Sequence, residues 1–155
     1  ELFTKTDISQ VEVQVDRLLD QESRQAEIDR VIDKASTCIR QGRDTAIYTS
    51  RKLITGHDAA SSLEIGRIVS DSLIQITRKI SVQPKYLVAK GGITSSDIAT
   101  KGLDVKRALI IGQALPGVPT WQLGDETRYP GMSYIVFPGN VGENDALAKL
   151  KKSLE

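Results

Sequence analysis

The chain has 155 residues, of which 39% are apolar and 26% charged, and this is enough to fold as one domain around its own core. Its 21 basic and 20 acidic residues nearly cancel, which excludes the strongly basic surface of a typical nucleic-acid-binding protein. The single cysteine, Cys38, excludes an internal disulfide, and no apolar run approaches the roughly 20 residues of a membrane span. We therefore expect a cytoplasmic protein with neither a nucleic-acid nor a membrane partner. Because the chain begins at Glu1 rather than at methionine, we also expect an upstream part.

The first part of the sequence alternates between strand and helix patterns. Valines at every second position predict a half-buried strand over residues 11–15. Apolar residues spaced by three and four predict a helix over residues 21–41 that Gly42 ends, with Cys38 on the side facing the core. A short apolar run at 46–48 then predicts a buried strand.

A polar loop over residues 49–60 leads to a second long helix. Ser61 and Glu64 have the spacing of a capping box, so we expect this helix to begin there. Its apolar positions follow the same three-and-four spacing as far as Ile80.

Further strands and helices are expected after Pro84 breaks the chain. A short helix is predicted from about Thr94 to Gly102. The remaining segments are, in order, strands at 86–89, 108–112, 120–123 and 134–137 and a last amphipathic helix through Leu147, Leu150 and Leu154.

Helices thus alternate with short apolar strands through most of the chain. This pattern predicts an α/β fold, with a mostly parallel or mixed sheet and helices packed on it in three layers. Between residues 108 and 137 strands follow one another without a helix, so we expect antiparallel or mixed pairing there. Ligands of open α/β sheets bind beyond the carboxyl ends of the strands, and the turns at those ends are therefore candidate sites.

The first such turn is Gly91-Gly92-Ile93-Thr94, between a predicted strand and a predicted helix. Paired glycines allow positive φ and close approach of a ligand, and the first N–H groups of a helix attract phosphate. We expect the backbone amides of Gly91, Gly92 and Thr94 to hold phosphate oxygens, with the hydroxyls of Thr94 and Ser95 as further donors. The alternative is a purely structural turn in which Thr94 is the helix N-cap.

The second turn, Gly139–Gly142, also follows a predicted strand and precedes a predicted helix. The carboxylates of Glu143 and Asp145 suit the start of that helix but repel a phosphate placed close to them. This turn therefore has two alternative roles: it contacts the ribose or the base of a nucleotide, or it is an ordinary loop with a helix cap. Neither turn has the P-loop or the dinucleotide-binding pattern.

Other polar or aromatic residues admit both a structural and a functional role. Lys90 could neutralise phosphate charge, although a lysine at a strand end is more often solvated. His57 with Asp58 is a weak signal for a catalytic pair, and Arg51 is more often a surface charge than a ligand of the sheet edge. We interpret Trp121 as a packing residue rather than a platform for a base.

Three motifs together resemble a known family. The segments Val88–Asp97, Pro116–Pro119 and Pro138–Gly142 resemble the C-terminal nucleotide-binding domain of the four-carbon acid sugar kinases, long catalogued as a domain of unknown function. The resemblance covers essentially the whole chain and is strongest from Tyr86 to Leu150.

The resemblance implies that residues 1–155 are one half of a two-domain kinase that phosphorylates acids such as threonate, erythronate or 3-oxo-tetronate with ATP and Mg²⁺. An N-terminal domain before Glu1 would bind the acid sugar and supply the catalytic carboxylate, and a further nucleotide-contacting serine would also precede Glu1. This chain would therefore be inactive alone, and its resemblance assigns it neither a catalytic residue nor a metal ligand. Many members have an acidic residue where this chain has Ile93. The implied ATP site comprises Gly91, Gly92, Ile93, Thr94, Gly139, Asn140 and Gly142.

Two other readings of the same turns stay open. A non-catalytic domain that binds an anionic metabolite for regulation or assembly would have the same glycine turns. The chain could also be fused to an aldolase or isomerase. Whether it forms a homo-oligomer is open as well.

Overall fold

A computed structural model describes residues 2–50, 54 and 57–154. None of the helices in these residues is both long enough and apolar enough to cross a membrane. The residues fall into two compact units: Ser9–Val82, the two-stranded unit, and Glu1–Ile8 with Gln83–Glu155, the four-stranded unit. The elements are, in chain order, α1 (Leu2–Lys5), β1 (Ser9–Val13), α2 (Val15–Leu19), α3 (Arg24–Arg40), β2 (Thr45–Thr49), α4 (Ala59–Lys79), β3 (Tyr86–Lys90), α5 (Gly92–Asp97), which continues as a π-helical turn (Ile98–Gly102), β4 (Ala108–Leu115), β5 (Val118–Leu123), β6 (Ser133–Phe137) and α6 (Ala146–Ser153).

In the two-stranded unit, β1 and β2 pair in parallel, and α2, α3 and α4 belong to the same unit. The predicted helix over 21–41 is confirmed as α3, and Gly42 follows it with a φ of 73°. Cys38 is only 6% exposed, which confirms it as a core residue. The buried apolar core of this unit comprises Val11, Val13, Leu18, Ile28, Val31, Ala35, Ile76 and Ile80.

The strand predicted over residues 11–15 is wrong at its end, because β1 stops at Val13 and Val15 begins α2. The backbone N–H of Gln14 donates to Glu27 Oε1 at 2.8 Å, and that of Val15 donates to Ser50 Oγ at 3.2 Å. These side-chain acceptors replace the strand partners that an extended chain would need. Val15 is nevertheless buried, so its apolar character was correctly recognised but its backbone conformation was not.

The capping box predicted from Ser61 and Glu64 is also wrong. Helix α4 begins earlier, at Ala59, and its N-cap is Asp58, whose carboxylate accepts from the Ser61 N–H at 2.8 Å. Ser61 Oγ accepts in return from the Asp58 N–H at 3.1 Å, which completes a capping box one turn upstream. Glu64 instead forms an ion pair with Arg67 at 2.6 Å. An aspartate is as favourable at an N-cap as a serine. Asp58 precedes Ser61 in the chain, so the helix begins at the earlier of the two caps.

A buried carboxylate joins the elements of the two-stranded unit. Glu27 has no exposed side-chain surface and forms a two-pronged pair with Arg30, whose Nε and Nη2 donate to its oxygens at 2.8 and 2.6 Å. Burial alone would raise the pKa of the Glu27 carboxyl, but the Arg30 hydrogen bonds and the donation from Gln14 outweigh it and lower that pKa. The Arg30 guanidinium also donates to the backbone carbonyl of Glu12, so the pair connects α3 to β1.

The four-stranded unit contains a mixed sheet with the order β3-β6-β5-β4. Strands β3 and β6 are parallel, whereas β5 is antiparallel to both of its neighbours, and this confirms the mixed pairing expected between residues 108 and 137. A turn at Pro116 and Gly117 joins β4 to β5, with a φ of 77° at Gly117 as a type II turn requires. Strand β4 forms an edge and carries the exposed apolar residues Leu109, Ile110 and Ile111.

Helical segments cover both faces of this sheet, as the three-layer expectation requires. Alternate residues of β6 enter two separate cores: Tyr134 packs with Ala99 and Leu103 after α5, and Ile135 packs with Leu150 of α6. The alternation follows from the two-residue period of a strand. Strand β6 is therefore buried on both sides, which explains its continuous apolar sequence.

We expect Cys38→Ala to lower the melting temperature by about 2–4 °C, because removing a buried sulfur costs about 1 kcal/mol in a domain of this size. Thr37→Ala, one position away on the exposed side of α3, is the matched control and should leave the melting temperature nearly unchanged. Thermal denaturation followed by circular dichroism makes the comparison. Equal shifts for the two variants would contradict the core assignment.

We expect Glu27→Gln to reduce the free energy of unfolding at pH 7 by about 1–3 kcal/mol, because it leaves Arg30 without its charged partner. Since folding lowers the pKa of Glu27 from 4.5, the stabilisation by its carboxylate is complete above that pH and is lost as the pH falls through the lowered folded-state value. Denaturant titrations from pH 7 to pH 3 should therefore show a smaller loss for the variant than for the wild type. Parallel curves would show that Glu27 makes no such contribution.

Candidate functional site

The parallel pairing of β3 with β6 brings the two predicted turns side by side. Lys90 lies opposite Phe137 at the carboxyl ends of the two strands. The N–H of Gly91 donates to the Phe137 carbonyl at 2.8 Å, so the ladder extends one residue into the first turn. A Cβ added at Gly139 would lie 3.9 Å from the Cα of Gly91, and the turns are therefore in van der Waals proximity.

This pairing changes the role expected for Gly91. Its amide was predicted to hold a phosphate oxygen, but that N–H is already bonded to the neighbouring strand. Gly91 is instead needed for its conformation, with a φ of 104° that residues with side chains rarely adopt. It occupies the N-cap of α5, and the helix begins with Gly92, Ile93 and Thr94.

The first N–H groups of α5 and the hydroxyl of Thr94 are the donors of the first turn. Helix geometry leaves the amides of Gly92, Ile93 and Thr94 without intrahelical partners. Thr94 is not the N-cap, because Gly91 occupies that position, so the N-cap role considered for Thr94 is wrong. Its Oγ1 lies 3.7 Å from the position that a Cβ on Gly91 would occupy. The side chain of Ile93 is 79% exposed at the same surface.

A buried hydrogen-bond network supports this turn from below. The hydroxyl of Ser95 is within 2.7 Å of the Ala89 carbonyl and 2.6 Å of the Gly91 carbonyl, and Ser95 is only 2% exposed. Ser95 therefore fixes the turn, and the expectation that its hydroxyl is a ligand donor is wrong. Tyr134 of β6 donates to the Ser95 carbonyl at 2.7 Å, and burial raises the pKa of this phenol, which keeps its proton in place.

Tyr134 is the supporting residue that the sequence did not reveal. Its only signal was a tyrosine within a buried strand, and such a residue usually needs a partner for its hydroxyl. Trp121 packs beside it with ring centroids 5.8 Å apart, which supports the packing role assigned to that tryptophan.

The second turn is fixed by the packing of its last glycine. Gly142 has a φ of 83°, and a Cβ there would lie 2.5 Å from the Cβ of Ala146 and 3.5 Å from the ring of Phe137. Gly139 and Asn140 are exposed at the start of the turn. The Pro116–Pro119 motif lies beside this turn, because a Cβ at Gly117 would lie 3.6 Å from Val141.

The acidic residues after the second turn are paired within the protein. Lys149 lies 3.4 Å from Glu143 and 3.1 Å from Asp145, and both carboxylates precede α6, which begins at Ala146. This pairing weakens the repulsion that these carboxylates would exert on a phosphate.

Lys90 connects the two turns. Its Nζ lies 3.5 Å from the Gly139 carbonyl and 4.6 Å from the centre of the Phe137 ring. Together the turns present amide, hydroxyl and ammonium donors at one edge of the sheet, and neither Gly91–Thr94 nor Gly139–Gly142 contains an ionisable proton acceptor. The arrangement is suited to binding an anion.

His57 and Asp58 belong to the two-stranded unit, where His57 is exposed and the Asp58 carboxylate caps α4. Arg51 lies outside the described residues. In the ranges that the structure describes, no group of three His, Cys, Asp or Glu side chains has the arrangement of a metal site.

Comparison with known proteins connects this geometry to a family. Residues 1–147 match the family described as "Nucleotide-binding C-terminal domain". The 3-oxo-isoapionate kinase of Paraburkholderia graminis is 25% identical over 142 residues, which are 82% of this chain and 30% of that kinase. The chain therefore spans less than a third of the length of this relative.

Solved structures share the fold at low sequence identity. One is a protein of Bordetella bronchiseptica, described as a domain of unknown function (DUF1537) with bound citrate and as a domain-swapped dimer. Its TM-score is 0.69 at 16% identity, over 98% of this chain and 36% of that one. A Haemophilus influenzae protein, described as a DUF1537 protein, has a TM-score of 0.65 at 15% identity, over 94% of this chain and 34% of that one. The resemblance to the C-terminal domain of the four-carbon acid sugar kinases is thereby confirmed, and the chain belongs to the family of nucleotide-binding C-terminal domains.

Proposed function

We propose that this chain is the ATP-binding part of a two-domain kinase that phosphorylates a four-carbon acid sugar. The observation that carries the proposal is the convergence of two glycine turns at one sheet edge, in a chain whose family binds nucleotides. The kinase activity named for the Paraburkholderia relative supports the class of reaction. An acid-sugar site on another part of the full-length protein completes the proposed enzyme.

The phosphates of ATP bind to the N–H groups at the start of α5. Gly92, Ile93 and Thr94 supply these donors, and the Thr94 hydroxyl adds another within the same turn. Gly91 provides the backbone conformation that directs the donors outward. The second turn, with Gly139, Asn140 and Gly142, contacts the nucleotide from the neighbouring strand.

We propose that Mg²⁺ is bound by the phosphates of the nucleotide rather than by a cluster of protein carboxylates. Bound with the nucleotide, Mg²⁺ would neutralise the negative charge that develops on the phosphates during transfer. The chain's own contribution is to bind and orient the phosphates, because it offers amide and hydroxyl donors at this edge. Positioning of this kind supplies much of the rate of phosphoryl transfer.

A second candidate function is supported by the citrate bound to the Bordetella protein. A domain that binds a small anionic acid for regulation or assembly would use the same donors. Titration with ATP in the presence and absence of Mg²⁺, beside titration with citrate and with a phosphorylated acid sugar, separates the two functions. Tighter binding of ATP with Mg²⁺ supports the kinase, and a preference for the small acids supports the alternative. The swapped dimer of the same protein also leads us to propose a homo-oligomer here.

Gly92→Val should weaken ATP binding at least tenfold while leaving the melting temperature nearly unchanged. A Cβ at Gly92 meets no atom within 4 Å, so the protein has room for the side chain, but a ligand at the amides does not. Gly66→Val is the matched control, since Gly66 also lies in a helix with open space around it. Calorimetric titration and circular dichroism make both measurements. Unchanged ATP affinity in Gly92→Val would remove this turn from the site.

The chain alone should transfer no phosphoryl group to an acid sugar, even with ATP and Mg²⁺. Transfer requires the acceptor hydroxyl in line with the γ-phosphorus, and we place the acceptor site outside this chain. A coupled assay of ADP release with threonate and erythronate isomers, run on the chain and on the full-length protein, tests this expectation. Acceptor-dependent turnover by the chain would refute it and would direct mutagenesis to His57.

A further inference from the structure

Lys90 is held between the two glycine turns by groups that carry no charge. It is the last residue of β3, and its side chain crosses toward the neighbouring strand. Nζ lies 3.5 Å from the Gly139 carbonyl and above the Phe137 ring, 4.6 Å from its centre. The aliphatic part of the chain can pack on apolar surface while the ammonium stays exposed to solvent.

The positive charge of Lys90 lacks a compensating carboxylate among residues 2–50, 54 and 57–154. Two other lysines of this unit do have carboxylate partners: Lys101 lies 2.8 Å from Asp97, and Lys149 lies close to Glu143 and Asp145. An ammonium has three donor positions, and the one contact with Gly139 is at the long limit of a hydrogen bond. Most of its bonding capacity therefore remains for a ligand.

We propose that Lys90 binds a phosphate group of the nucleotide and bridges the two turns through it. The inference rests on the proposed nucleotide site, and it adds a charged residue to a set that otherwise consists of backbone amides and uncharged side chains. The ring of Phe137 and the Gly139 carbonyl restrict the ammonium before a ligand arrives, so less conformational entropy is lost on binding. A compact ammonium suits a phosphate as a point charge.

The test compares Lys90→Met with Lys85→Met for binding of Mg²⁺–ATP and of inorganic triphosphate. Methionine keeps much of the length and apolar character of the lysine stem, so the cover over Phe137 should persist. Lys85 is exposed and precedes Tyr86 at the other end of β3, about 16 Å away along the strand, so its variant removes the same charge far from the turns. Lys90→Met should weaken both ligands by about tenfold. Lys85→Met should change neither affinity, and melting temperatures should stay equal.

Each outcome of this experiment decides one question. Equal affinities of Lys90→Met and wild type for ATP would overturn the role of Lys90 but leave the nucleotide site standing. A loss for ATP without a loss for triphosphate would also overturn it, because the lysine would then contact the base or the sugar. Failure of the wild type to bind ATP would overturn the proposed function and the role of Lys90 with it. Lys90→Arg, which keeps the charge, should retain more affinity for both ligands than Lys90→Met.

Discussion

The parallel pairing of β3 with β6 determines where every candidate ligand donor lies. Because the two strands end together, the chain leaves the sheet twice at the same edge, once at Gly91 and once at Gly139. A slip of one residue in this register would exchange the faces of Tyr134 and Ile135. The Tyr134 hydroxyl would then no longer reach the Ser95 carbonyl, and both cores of the unit would be broken. Site geometry and core packing are therefore fixed by one set of strand contacts.

The polar groups of the first turn have separate tasks that depend on burial. Ser95 and Tyr134 are buried, and their hydroxyls donate to backbone carbonyls: Ser95 Oγ to that of Ala89, and the Tyr134 hydroxyl to that of Ser95. Thr94, one residue earlier, is only partly buried, and its Oγ1 lies 3.7 Å from the position of a Cβ on Gly91. A turn held in this way from within the protein presents its outward amides in a fixed arrangement, which reduces the entropic cost of binding a phosphate.

Hydrophobic periodicity was sufficient to predict α3, β6 and most of the remaining elements, because each is buried along a regular face or on both sides. It failed where side chains replaced backbone partners. Gln14 and Val15 leave the strand because Glu27 and Ser50 accept their N–H groups, and these acceptors are distant in sequence. The glycine turns could be located from composition and position alone. The loss of the Gly91 amide as a donor could not be predicted, because it depends on which strand lies beside β3.

The packing around Gly142 determines what a glycine at this position means in related sequences. A Cβ there would collide with Ala146, and the backbone has a left-handed φ, so the fold requires glycine whether or not a nucleotide is bound. A descendant of this family that had lost its ligand would still be under selection to keep that glycine. Gly92 has no such structural requirement, since the space above it is open. On the proposed nucleotide site, replacement of Gly92 by a larger residue is thus the change that would mark a relative as having lost nucleotide binding.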